Sequence, residues 1–193
     1  MTMNRRAWAL VAMGAWMAGS ICTSVVATEN FYTIDRLLAA RASPAFAAVV
    51  DRLGAAETRD LLRYLSSELN RLYFQVWNAA QIVLGGLVLW LIAGSTKQER
   101  AYGDRAPTSS QTRRAGPYRP VWGVVSMLAI VMSMLVYLTP AIVTLGRSLD
   151  FVPRDPAPPG MSRFWVLHAA YTSLEMLKLL IGAIVTMWIA KRM

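Results

Sequence analysis

Residues 164–190 read FWVLHAAYTSLEMLKLLIGAIVTMWIA. A transmembrane helix needs about 20 largely apolar residues to cross roughly 30 Å of hydrocarbon, and this stretch meets that length. Yet His168, Tyr171, Thr172, Glu175 and Lys178 recur within it at spacings of three and four, which places them on one helical face. Glu175 and Lys178 lie near the middle, where a lone charge costs about 2.5–3.5 kcal/mol on insertion scales. Such a stripe cannot face lipid. The segment therefore predicts a span packed against other spans, with Glu175 and Lys178 paired at their i, i+3 spacing.

Three further stretches, near 7–27, 72–94 and 121–146, are long and apolar enough to be those partners. With 55% hydrophobic and 16% charged residues among 193, the chain is too apolar for an ordinary soluble domain. The expected fold is all-α: an integral membrane four-helix bundle forming one domain over 1–193. The second span supplies a counterpart stripe, in which Glu68, Arg71, Gln75 and Asn78 share a face with Gln81 beside it. Gly14 with Ala18, Ala15 with Gly19, and Gly85-Gly86 are small residues that permit close helix approach. Trp8, Trp77, Trp122, Trp165 and Trp188 fall near the proposed span ends, as interfacial belts require.

Orientation follows from where the basic residues lie. Arg5 and Arg6, the 95–120 loop with Lys97, Arg100, Arg105, Arg113, Arg114 and Arg119, and the terminal Lys191 and Arg192 belong inside. The 28–71 and 147–163 segments balance their arginines with acids and belong outside. Both termini are therefore expected in the cytoplasm. The richness in arginine over lysine points to a bacterial inner membrane. An apolar run from Ala7 of about 20 residues exceeds the usual core of a cleaved signal, so the first span is read as uncleaved.

The 28–71 segment is helical in pattern, with Ile34, Leu37 and Leu38 on one face and Phe46, Val49, Val50 and Leu53 on the next. Ser43-Pro44 reads as a helix start and Gly54 as a stop. A helical extracytoplasmic hairpin is expected, continuing through Leu61, Leu62, Leu65, Leu69 and Leu72 into the second span. Phe46 and Val49 are its candidate partner contacts. The 95–120 loop, rich in Gly, Pro and Ser, is composed like a flexible connector, and the four prolines of 153–160 exclude helix there.

Chemistry is sparse. The net charge of +9 follows the span ends, with no basic face beside aromatic platforms, so no nucleic-acid partner is expected. Cys22 is the single cysteine and His168 the single histidine, which excludes an intrachain disulfide and a bis-histidine haem. No cofactor or metal is expected. For His168 a structural hydrogen bond, to Gln75 or the hairpin, is favoured over ligation of one haem or chlorophyll-type metal. The methionines are read as apolar filling. No GxSxG, HExxH, P-loop or GxGxxG pattern occurs, and no inverted repeat of the transporter type is visible.

Leu61-Leu62-Arg63 and Tyr73-Phe74 leading into the second span, Thr139-Pro140 ending the third, and Leu167-His168 opening the fourth resemble the transmembrane protein 205-like family of small four-helix membrane proteins, also called domain of unknown function 4149. The resemblance covers most of the chain diffusely and implies the four-span fold rather than an activity. Family members tend to place an amide seven residues after that histidine, where this chain has Glu175.

These readings favour a non-enzymatic accessory or structural subunit of a larger membrane complex, with lipid and protein as its partners; a respiratory or photosynthetic assembly is the first host to check, though no residue selects it. The alternative is a small proton or ion carrier using Glu175 and Lys178. In the polar cluster His168, Tyr171, Thr172, Glu175, Lys178, Gln75, Asn78 and Gln81, the expected role is to hold helices together. Topology is open to test: in a cysteine-free background an impermeant reagent added from outside should label Ser43→Cys and spare Ser109→Cys. The reverse pattern overturns the orientation.

Overall fold

A computed structural model describes residues 5–41, 43–103 and 118–191, with the side chains of 96–103 and 118 excepted. The described residues are helical throughout apart from short connections. They form α1 (Arg5–Ala40), α2 (Pro44–Leu53), α3 (Ala55–Gly103), α4 (Tyr118–Ser133), a π-helical turn (Met134–Leu138), α5 (Thr139–Ser148) and α6 (Met161–Ala190). Because α4, the π turn and α5 run on without interruption, the described residues form five helices. Four of them are long and apolar enough to cross a membrane: Arg5–Ala40, Ala55–Ser95, Arg119–Ser148 and Met161–Ala190.

Each helix ends where local chemistry ends it. No glycine or proline interrupts residues 20–40, so α1 does not stop at the expected span limit of 27 but continues to Ala40. Beyond it, Arg41 takes a left-handed φ of 42°. Ser43 caps α2, its hydroxyl accepting from the Phe46 amide at 3.5 Å, and Pro44 fills the first turn, where no donor is needed. Gly54, at φ 92°, closes α2 by donating to the Val50 carbonyl at 2.9 Å, and its own carbonyl receives the amide and hydroxyl of Thr58. That positive φ suits glycine alone among common residues. At the other end α3 runs to Gly103, past the expected limit of 94, so the connector is shorter than its composition implied; residues 104–117 lie outside the described residues.

In the third long helix Pro140 has no amide hydrogen for the carbonyl four residues before it. The chain responds upstream by widening into the π turn, where the Thr139 amide donates five residues back to Met134. The extra residue rotates everything beyond it around the helix axis, bringing Thr139 to face inward.

The four long helices close a ring: α1 packs on α3, α3 on α4, α4 on α6, and α6 on α1, while α2 rests on α3. One half of the bundle is apolar, built from Ala9, Met13, Val88, Val124, Met127, Val131, Val185 and Ile189. In the other half polar residues join α1 to α3. Asn70 donates to the Ala27 carbonyl at 2.8 Å and accepts from Asn30 at 2.7 Å, and Arg59 meets Asp35 at 3.2 Å. These antiparallel contacts hold α1 and α3 together well beyond the apolar stretch of either.

The small residues divide into two kinds. A Cβ on Gly19 would enter the Trp77 indole, and one on Gly85 would meet Leu128 and, at 2.9 Å, Trp16. Gly14 and Gly86 face open space. Gly19→Val should therefore lower stability by about 1–3 kcal/mol through overpacking, whereas Gly14→Ala should raise it by about 0.5–1 kcal/mol through helix propensity. Melting of both variants in detergent checks the contrast.

Candidate functional site

The polar stripe of α6 and that of α3 meet at mid-bundle. Lys178 is fully buried, and its ammonium donates to the Glu175 carboxylate at 2.7 Å and to Gln81 Oε1. Gln81 Oε1 also accepts from Trp16 Nε1 at 2.9 Å, while its amide donates to Asn78 Oδ1 at 3.2 Å. Asn78 in turn donates to the Thr139 hydroxyl at 3.5 Å, and Tyr171 lies beside it. One connected network thus draws on α1, α3, α5 and α6. Trp16, Asn78 and Gln81 are as completely buried as Lys178, and Glu175 and Thr139 are nearly so.

Its chemistry is that of compensation. A buried ammonium keeps its charge only where an anion and hydrogen-bond acceptors replace water, and Glu175 and Gln81 supply both. Gln81 is the hinge of the arrangement, because its carbonyl oxygen serves the cation and the indole together while its amide serves Asn78. A chain of neutral donors and acceptors from Asn78 to Thr139 extends the network away from the charge.

Toward one end of the bundle the polar character continues. Phe74 and Tyr171 meet edge to face at 5.3 Å, and beyond them Arg71 bridges Glu68 and Asp150, the latter at 3.2 Å. Arg147 adds a 3.7 Å contact to Glu68. Toward the other end, Val88, Val124, Met127, Val131 and Val185 close the interior with apolar side chains. The network is open to polar groups on one side and stops on the other.

Three residues of the predicted cluster lie elsewhere. Gln75 and Thr172 are exposed on the outer faces of α3 and α6. Each precedes its buried neighbour by three positions, about 60° of helix rotation, which is enough to carry it out of a narrow interior. His168 is half-buried but bonds neither Gln75 nor the α1–α3 segment. Its Nδ1 lies 3.1 Å from the Phe164 carbonyl of its own helix, and the ring packs on Phe164 at 4.2 Å between centroids. Phe46 and Val49 are half-covered, while Leu53 beside them is exposed.

Two members of the network were absent from the predicted cluster. Trp16 carries no signal beyond that of a core aromatic, and Thr139 reaches the site only because the π turn rotates it there. Among the described residues, no group of three His, Cys, Asp or Glu side chains is placed to hold a metal ion.

Removing one partner of a buried pair strands the other. Lys178→Met should cost about 3–5 kcal/mol, and Glu175→Gln combined with Lys178→Met should cost less than Lys178→Met alone. A double-mutant cycle read by detergent melting measures the coupling, and additive losses would show that the pair does not interact.

Comparison of the chain with protein-family models, with curated proteins and with solved structures finds no match to any of them.

Proposed function

We propose that the chain is a non-catalytic accessory or structural subunit of a larger membrane protein complex, held in a bacterial inner membrane with both termini in the cytoplasm. A respiratory or photosynthetic assembly is the kind of host this reading points to, and kinship with the transmembrane protein 205-like family belongs to the same proposal. One observation carries it. Phe31, Tyr32, Leu37 and Leu53 are exposed, yet they lie in a stretch that also carries Glu29, Asp35, Arg36, Asp51 and Arg52. A segment so charged is unsuited to the hydrocarbon core, so lipid tails do not cover those side chains, and exposed apolar groups in water call for a protein surface.

The mid-bundle network supports the same reading. Its members are bonded to one another and it ends against an apolar layer, as suits a fastening between helices rather than a through-going conduit. Leu37→Ser with Leu53→Ser should reduce recovery of co-purifying proteins, identified by mass spectrometry after mild solubilisation, while the protein still inserts. Phe46 and Val49 are poorer choices because their partial burial ties them to the fold.

The carrier reading has one observation in its favour: an ionisable pair at mid-bundle, reached from one end through Asn78, Tyr171 and the Arg71–Asp150 bridge. It expects proton flux in proteoliposomes that Glu175→Gln abolishes, with partner recovery unchanged. Wild-type protein that purifies alone and conducts protons would replace the subunit reading with this one.

A further inference from the structure

The outward face of α3 carries Leu65, Leu69, Leu72, Val76, Ala79, Val83, Gly86 and Trp90, at alternating spacings of four and three. All eight are exposed. This is a heptad seam in which Leu69, Val76, Val83 and Trp90 occupy one core position and Leu65, Leu72, Ala79 and Gly86 the other. At 1.5 Å per residue it extends about 38 Å. From the structure we infer that a second copy of the chain packs on it, the two α3 helices running parallel about a twofold axis.

Lipid accounts for part of such a face but not for all of it. The seam begins at Leu65 and Leu69, in the stretch where Asp60, Arg63, Glu68 and Arg71 also lie, and it continues without a break into the apolar stretch. On α1, by contrast, the outward face is interrupted by Thr28 and Glu29. A surface that keeps one register across both environments matches a helix, which crosses both, better than it matches a solvent.

Gly86 gives a second, independent argument. Glycine within a helix is less stable than alanine, and nothing among the described residues lies within 4 Å of where a Cβ would be. Its neighbour Gly85 is small because Leu128 and Trp16 require it; Gly86 has no such reason inside the fold. With Ala79 one heptad away, it lets a second backbone approach closely at mid-seam.

The flanking residues select the occupant. In a parallel pair, the position before one core residue faces the position after another, five residues further along the partner. Here that places Glu68 of one copy opposite Tyr73 of the other, a phenol that can donate to a carboxylate. Neither the Tyr73 hydroxyl nor the outward Gln75 amide has a hydrogen-bond partner among the described residues of its own chain. Ala80 and Leu87 likewise fall opposite Gln75 and Ile82, with no like charges in opposition. A common membrane orientation enforces the parallel arrangement, and a seam that matches itself closes as a dimer without leaving an edge. At the far end Arg5 lies over the Trp90 ring at 5.3 Å, which marks where the seam stops.

The pairing does not depend on the accessory-subunit reading, since Leu37 and Leu53 lie outside the seam. It is tested with full-length protein in native membranes, carrying Cys22→Ala. Oxidation should link Val83→Cys into a species of twice the monomer mass and leave Leu180→Cys, exposed on α6, unlinked. Adding Gly86→Leu, or Ala79→Leu as a second disruptive variant, should abolish the Val83→Cys link while helicity and membrane insertion persist. Equal linking at Val83→Cys and Leu180→Cys, a Val83→Cys adduct with a different protein, or a link that survives both leucine variants would overturn the inference.

Discussion

A lysine ammonium held out of water is the constraint around which this bundle is organised. Lys178 is reached by no solvent, so its charge must be answered within the fold by Glu175 one turn away and by Gln81 from another helix. Because Gln81 is simultaneously engaged by Trp16 and Asn78, the demand of one cation fixes the relative rotation of α1, α3 and α6. The apolar half of the bundle contributes burial but little specificity, since aliphatic contacts tolerate rotation that hydrogen bonds do not.

Much of this was legible in the order of residues. Four apolar stretches declare their length directly, and Glu175 with Lys178, or Asn78 with Gln81, declare a shared face through their spacing of three. What periodicity cannot supply is the width of the interior. Gln75 and Thr172 satisfy the same three-and-four rule and yet lie outside, because a helix in a four-membered ring turns only part of its circumference inward. Thr139 fails for a different reason, since the π turn inserts a residue and invalidates α-helical counting beyond it.

Helix limits show a related gap. Span length sets where hydrocarbon ends, whereas a helix ends only where a cap, a glycine or a proline stops it. Residues 28–40 contain no such signal, so α1 continues, and its polar pairing with α3 through Asn30, Asn70 and Ser66 replaces apolar packing as the means of holding the two together. The two halves of the bundle are thus stabilised by different physics on the same pair of helices.

The i, i+3 placement of Glu175 and Lys178 also bears on how the chain is made. Synthesis runs from the N-terminus, so the helix bearing the cation emerges after Trp16, Asn78, Gln81 and Thr139, which are by then available to bond one another. Since its counter-ion lies on the same helix, Lys178 emerges with its charge already compensated and does not require a partner helix to neutralise it first. The polar middle of this helix can therefore leave the ribosome already paired, and Gln81 acts as the acceptor that tells it where to dock.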